Sequence, residues 1–211
     1  EHAGIAPDSL AETPAGVFIG ICSNDYELLT LSRGAADAFF LSGTRPHAAA
    51  GRISHTLGLR GPSMVFDTAC SSSLVAVHEA CQSLRNDECT LALAAGVNLM
   101  LMPEGMVILC QAEMLSADGR CKTCDSSGDG YGRGEGVGVV VLKRLSKAEA
   151  DGDNILAVIL GSAVNHDGMS SGMTVPSATA QQEVIARALK NAGVEATDVD
   201  YVEMHGTGTP L

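Results

Sequence analysis

Short apolar runs, punctuated by glycine and proline, predict the strands of this chain. Gly16-Val17-Phe18-Ile19-Gly20-Ile21 reads as a buried strand, and Ser63 to Phe66 as a second one after the turn Arg60-Gly61-Pro62. From Ser71 the period changes: Leu74, Val77, Cys81 and Leu84 recur at helical spacing, with Ser71 to Ser73 supplying capping hydroxyls near the helix start. Leu91 to Val97 reads as a strand. Val137 to Leu142 and Ile155 to Leu160 are β-branched runs separated by Asp151-Gly152-Asp153, which predicts a hairpin-like pair. Ala180 to Asn191 is a helix stopped by Gly193, and Val199 to Met204 is a last strand. Strands alternate with helices, and several are apolar on both faces. The expected class is α/β, a sheet covered by helices, with no repeat, linker or low-complexity tract.

Composition narrows the functions open to such a chain. Its 211 residues are 45% hydrophobic, enough for one large domain or two small ones. Thirteen Lys and Arg against 25 Asp and Glu leave a net charge of −12, which argues against non-specific nucleic-acid binding. No apolar run approaches the roughly 20 residues needed to cross a bilayer, so no membrane association is expected. Seven cysteines, an odd number spread from Cys22 to Cys124, point to a reducing compartment, and a cytoplasmic location is the expectation. Cys121 and Cys124 form a CxxC without a second pair, so no metal site is expected. The chain opens without Met on Glu1-His2-Ala3-Gly4-Ile5-Ala6-Pro7, where Gly4 and Pro7 read as a helix stop. It ends on a Gly-rich turn, and is expected to be an internal piece of a longer protein.

Two segments carry candidate chemistry. Val65-Phe66-Asp67-Thr68-Ala69-Cys70-Ser71-Ser72-Ser73-Leu74 sets a cysteine between a buried strand and a helix N-terminus. The helix dipole and free N–H groups there favour thiolate, and the same N–H groups can receive an oxyanion. The alternative for Cys70 is an inert, buried thiol acting as a small hydrophobe. His205 ends the last apolar run, followed by Gly206-Thr207-Gly208-Thr209, which lets a ligand approach the backbone. An imidazole there can exchange a proton near neutral pH, or simply be a structural histidine.

Taken together, Asp67-Thr68-Ala69-Cys70-Ser71-Ser72-Ser73-Leu74 and His205-Gly206-Thr207-Gly208-Thr209-Pro210-Leu211 closely resemble the active-site segments of β-ketoacyl synthase domains, especially those of modular polyketide synthases. The resemblance runs through Ala50-Gly51-Arg52-Ile53-Ser54, Gly58-Leu59-Arg60-Gly61-Pro62-Ser63, Ala95-Gly96-Val97-Asn98-Leu99, Asp118-Gly119-Arg120-Cys121-Lys122-Thr123 and Asp129-Gly130-Tyr131-Gly132-Arg133-Gly134-Glu135-Gly136. It implies a thiolase-like fold of two βαβαβαββ halves stacked in five layers. Here it would be incomplete: most of the first half without its opening strand, to about residue 175, then the start of the second over residues 176–211. It also implies that Cys70 takes an acyl group as a thioester from the phosphopantetheine arm of an acyl carrier protein. His205 would stabilise the enolate formed when a carrier-bound malonyl-type extender is decarboxylated, and Thr207 and Thr209 would line the pantetheine tunnel. No cofactor is held directly. The implied partners are the acyl carrier protein, neighbouring polyketide synthase domains and a second copy, pairing through about Ser63 to Phe66.

Some positions depart from the family. Its second catalytic histidine, its lysine and its oxyanion-completing loop belong downstream of Leu211, so the segment alone is expected to be inactive. Cys22 and His166 stand where Ser or Ala and Gln are more usual, and Cys124 where Phe is common. The glycine-rich stretch from Gly130 to Gly138 lacks GxGxxG and runs into a strand, unlike a phosphate cradle. His78 reads as a packed or rim histidine and Cys81 as core, while Arg45, Arg52 and Arg60 are solvated or paired, or face an acidic carrier. Three other functions share these residues: fatty-acid elongation, an acyl-holding domain that does not condense, and a Cys–His hydrolase, whose flanking signatures are missing.

Overall fold

The computed structural model describes residues 1–209; Pro210 and Leu211, the last positions of the His205–Leu211 motif, lie outside the described residues. The chain forms two compact units, Glu1–Met102 with Glu135–Val158, and Pro103–Gly134 with the segment from Ile159 onward.

In the first unit, β1 (Ala15–Gly20), β2 (Ser63–Phe66), β3 (Leu91–Asn98) and β4 (Gly136–Leu142) form a sheet in the order β2-β1-β3-β4. β1 runs parallel to both neighbours, and β4 is antiparallel to β3. Every residue of β1 is buried, because alternate side chains feed two cores on opposite faces. Phe18 joins Ala92 and Ala94 of β3 with Ala76, Ala80 and Leu84 of α4 (Ser72–Arg85). Val17 and Ile19 join Leu91, Leu59 and Ala50, the last from α3 (Pro46–Leu57). The connection from β1 to β2 also carries α1 (Asp25–Ser32) and α2 (Phe40–Thr44). The α/β class read from the sequence therefore holds.

The second unit contains α5 (Glu104–Gln111) and α7 (Ala178–Ala192). Ser177 caps α7, its hydroxyl accepting from the Ala180 N–H at 3.3 Å, and Gly193 ends it at φ 69°.

Three element readings need correction. The buried stripe of α4 is Ala76, Ala80, Cys81 and Leu84, whereas Leu74 is 74% exposed. Small side chains let the helix axis approach the large Phe18, so alanine carries the contact that the apolar period assigned to Leu74. The pair predicted across Asp151-Gly152-Asp153 does not form. That segment ends a helix of the first unit, α6 (Leu145–Asp151), with Gly152 as its left-handed C-cap at φ 71°, and Ile155 to Leu160 forms no strand. Leu156 is 77% exposed, and Val199 to Met204 likewise forms no ladder, with Val202 68% exposed. β-branched runs become strands only where a neighbouring strand continues the ladder, and neither run is part of a ladder among the described residues.

Candidate active site

Beyond Phe66 the chain leaves the sheet and turns sharply. Ala69 is forced to φ 53°, in the left-handed region that disfavours a side chain, and Ala69–Ser71 forms a 3-10 turn leading into α4. The surrounding hydroxyls stitch this turn. Thr68 N–H donates to Ser72 Oγ at 2.9 Å, Ser72 O–H to the Ala69 carbonyl at 2.6 Å, and Ser71 O–H to the Thr68 carbonyl at 2.8 Å. Asp67 accepts from Ala69 N–H at 3.2 Å. The serines thus do not cap α4 as the sequence suggested, since Ser71, its N-cap, makes no side-chain cap bond. They are spent instead on the strained turn, and the N-terminus of a 14-residue helix is left behind Cys70 without a side-chain cap. Cys70 is exposed, whereas Cys81 and Cys89 are buried; the inert-hydrophobe description fits those two.

The helix start is seated by two glycines whose role was not read from the sequence. Gly20, the last residue of β1, and Gly96, two residues short of the end of β3, are register partners. A Cβ on Gly20 would lie 2.5 Å from Ser72 C and Ser73 N, and one on Gly96 2.6 Å from Ser73 Cβ. The available signal was glycine toward the carboxyl end of two adjacent strands, where open α/β sheets place their sites.

The other candidate residues lie in the second unit on one turn. His205 is exposed, and Thr207 and Thr209 are half-buried with their hydroxyls 3.0 Å apart. Gly206 and Gly208 take φ 55° and 69°, which fixes glycine at both. A second loop grips them: Thr123 O–H donates to the Gly206 carbonyl, and Gly130 N–H to the Gly208 carbonyl at 3.1 Å. Neither contact was read from the sequence, where Thr123 and Gly130 figured only as family matches. That loop is anchored by Lys122, whose Nζ lies 2.6 Å from Asp129, 3.1 Å from Asp118 and 3.1 Å from Ser116 Oγ. The Ser116 hydroxyl, then the Lys122 ammonium, hold the Asp118 carboxyl down at about 2. The Asp129 hydrogen bond raises Lys122. Cys70 belongs to the first unit, and His205, Thr207 and Thr209 to the second.

Of the arginines, Arg45 pairs with the buried Glu27 at 3.0 Å and Arg60 with Glu12. Arg52 lines a cavity of about 280 Å³ with Ile21, Tyr26, Val97 and Leu99. His78 is half-buried, its Nε2 lying 3.4 Å from Gln82 Nε2. The stretch after Gly130 enters β4 as read. Cys121 Sγ accepts from Gly132 N–H at 3.4 Å, and no three metal-ligating side chains cluster among the described residues. No helix among them is long and apolar enough to cross a membrane.

Comparison with known proteins matches residues 1–148 to the family Beta-ketoacyl synthase, N-terminal domain, and residues 156–211 to Beta-ketoacyl synthase, C-terminal domain. The chain is 53% identical over 214 residues to one polypeptide of the phenolphthiocerol/phthiocerol polyketide synthase of Mycobacterium tuberculosis, and 55% identical over 212 residues to another polypeptide of that synthase. All of the chain is aligned, yet it spans only 10% and 12% of those relatives. Among solved structures, the ketosynthase from module 6 of the bacillaene synthase of Bacillus subtilis superposes with a TM-score of 0.90 at 44% identity. That match covers 98% of this chain and 35% of the other. The oxazolomycin ketosynthase domain of Streptomyces albus gives 0.92 at 42% identity, covering 99% and 36%. The four-stranded unit is thus part of the thiolase-like fold of modular ketosynthases.

Proposed function

The chain belongs to the β-ketoacyl synthase family, and from that premise we propose that it carries the nucleophile and one enolate-stabilising histidine of a polyketide chain-extending condensation. Cys70 Sγ attacks the carbonyl of a carrier-bound acyl thioester. A new thioester forms on Cys70, and the phosphopantetheine sulfur leaves with the proton of the Cys70 thiol. A carrier-bound malonyl-type group then loses carbon dioxide, and the electron pair of the broken C–C bond becomes an enolate, stabilised by His205. The enolate carbon attacks the Cys70 thioester, forming the new C–C bond and returning the sulfur as thiolate. This is covalent catalysis followed by electrostatic stabilisation of an oxyanion. In this scheme Thr207 and Thr209 line the pantetheine path.

The observation that carries this reading is the exposed thiol on the strained turn at the uncapped start of α4. The chain spans about a third of the solved ketosynthases, so turnover belongs to the complete domain. Its partners there are the acyl carrier protein, neighbouring synthase domains and a second copy paired along β2, with a cytoplasmic location. The reading is tested by loading the complete domain with an acyl carrier substrate and locating the adduct by mass spectrometry. The acyl group is expected on Cys70 and is lost in Cys70→Ala. An electrophile that traps thiolates is expected on Cys70 early and on Cys81 and Cys89 last, since burial raises both of those thiols. An acyl group found on another cysteine overturns the assignment.

A further inference from the structure

A turn with two glycines in five residues has little rigidity of its own, because glycine gives up more conformational freedom than any other residue when it is fixed. Yet a histidine that stabilises a developing charge has to be held within about half an ångström of its working position. The stiffness has to come from outside the turn. The loop from Ser116 to Tyr131 supplies it, through contacts to the backbone on both sides of Thr207. Thr123 O–H donates to the Gly206 carbonyl, one residue from His205, and Gly130 N–H to the Gly208 carbonyl at 3.1 Å. The packing is as close as glycine permits: a Cβ on Gly206 would lie 2.8 Å from Thr123 Cγ2, and one on Gly208 2.9 Å from Lys122 N.

We propose that Thr123 is a positioning residue for His205, acting through its hydroxyl on the Gly206 carbonyl, with the Lys122 side chain anchoring the loop that presents it. Lys122 suits the anchor. Its ammonium bridges Asp118 and Asp129 and reaches Ser116, a buried residue, so three points of the loop converge on one side chain directly before Thr123. Freed from Thr123, the peptide after Gly206 can rotate, and displacing a catalytic group by about 1 Å costs as much as 10²-fold in rate. This inference rests on the proposed role of His205 in the decarboxylation and condensation steps.

The test uses the complete ketosynthase domain and single-turnover kinetics that separate acyl loading of Cys70 from condensation. Thr123→Val keeps the side-chain shape and removes the donor. It is expected to leave loading unchanged and slow condensation by about 10-fold or more. Thr123→Ser, which keeps the hydroxyl, is expected to restore the rate to within about 2-fold. Lys122→Gln keeps the Thr123 hydroxyl but weakens the anchor, and should give the same selective loss at smaller size. Equal losses of loading and condensation in Thr123→Val, or condensation at the parent rate, would overturn the proposal. His205→Ala serves as the control: if it condenses at the parent rate, the role of His205 itself fails, an outcome separate from failure at Thr123.

Discussion

Gly20 and Gly96 face each other across the β1–β3 ladder, and together they let the first turn of α4 rest on the sheet. Both contacts are with atoms fixed to the helix backbone. An added methyl at Gly20 meets backbone atoms of Ser72 and Ser73, and one at Gly96 meets the Ser73 Cβ. Gly20→Ala therefore has to push the helix start away, carrying the Cys70 turn with it. Overpacking of this kind costs about 1–3 kcal/mol. Denaturant unfolding of the complete domain should show that loss, along with slower acyl loading of Cys70. Gly96→Ala is expected to cost a comparable amount, because the Ser73 Cβ it meets is fixed to the helix backbone and does not move with the rotamer. Parent stability in either variant would contradict this account of the helix seat.

The Lys122 anchor sets a pH window for the Ser116–Tyr131 loop. The Asp118 carboxyl is held at about 2, below the ordinary value near 3.9. A depressed carboxyl contributes stability above its unfolded value and loses it as pH falls through the folded one. Lys122 is raised, so its contribution is complete below the ordinary lysine value and fades as pH rises through the raised one. The loop should hold unchanged across neutral pH and loosen between about 4 and 2. Titration of the Asp118 side chain by NMR is expected to give a midpoint near 2. Ser116→Ala should move that midpoint upward most, because the Ser116 hydroxyl is the largest influence on it. A parent midpoint near 4 would mean that Lys122 and Ser116 do not hold Asp118 in solution.

Much of this was legible in the sequence, for identifiable reasons. β1, β2, β3, β4, α4 and α7 were readable because local period and glycine boundaries coincide there. Ile155–Leu160 and Val199–Met204 were misread because a β-branched run announces strand propensity, while pairing depends on a neighbour elsewhere in the chain. Leu74 failed for a related reason: periodicity marks apolar positions but cannot say that alanine packs closest to a phenylalanine. Cys70 and His205 stood out as candidates through residue type and motif. Thr123 did not, because its partner is a backbone carbonyl 83 residues away and leaves no mark in the local pattern.

β2 is one edge of the four-stranded sheet, and Met64 on it is 39% exposed. An open edge with apolar residues is a template for another strand, and native proteins cover such edges. Pairing β2 with its copy across a two-fold axis would continue the sheet. The complete domain is therefore expected to sediment as a dimer, and a charged substitution such as Met64→Glu should weaken it. A monomer at micromolar concentration would count against this pairing.

The proposed roles of Cys70 and His205 can be separated in time. If His205 serves the enolate, His205→Ala in the complete domain should still accept an acyl group on Cys70, then lose most decarboxylation and condensation. A methyl cannot donate the hydrogen bond that the developing oxyanion needs, and removing one such donor typically costs about 10²–10³ in rate. If His205 were instead needed to deprotonate the thiol, loading itself would fail. The geometry around Cys70 argues against that need. The thiol stands exposed at the start of α4, whose N-cap makes no side-chain bond, so the helix N–H groups and dipole are free to stabilise negative charge that develops there during the attack. Single-turnover loading with a labelled acyl-carrier substrate, followed by addition of the malonyl partner, distinguishes the two cases. A folded His205→Ala domain that cannot be loaded would sink this division of labour.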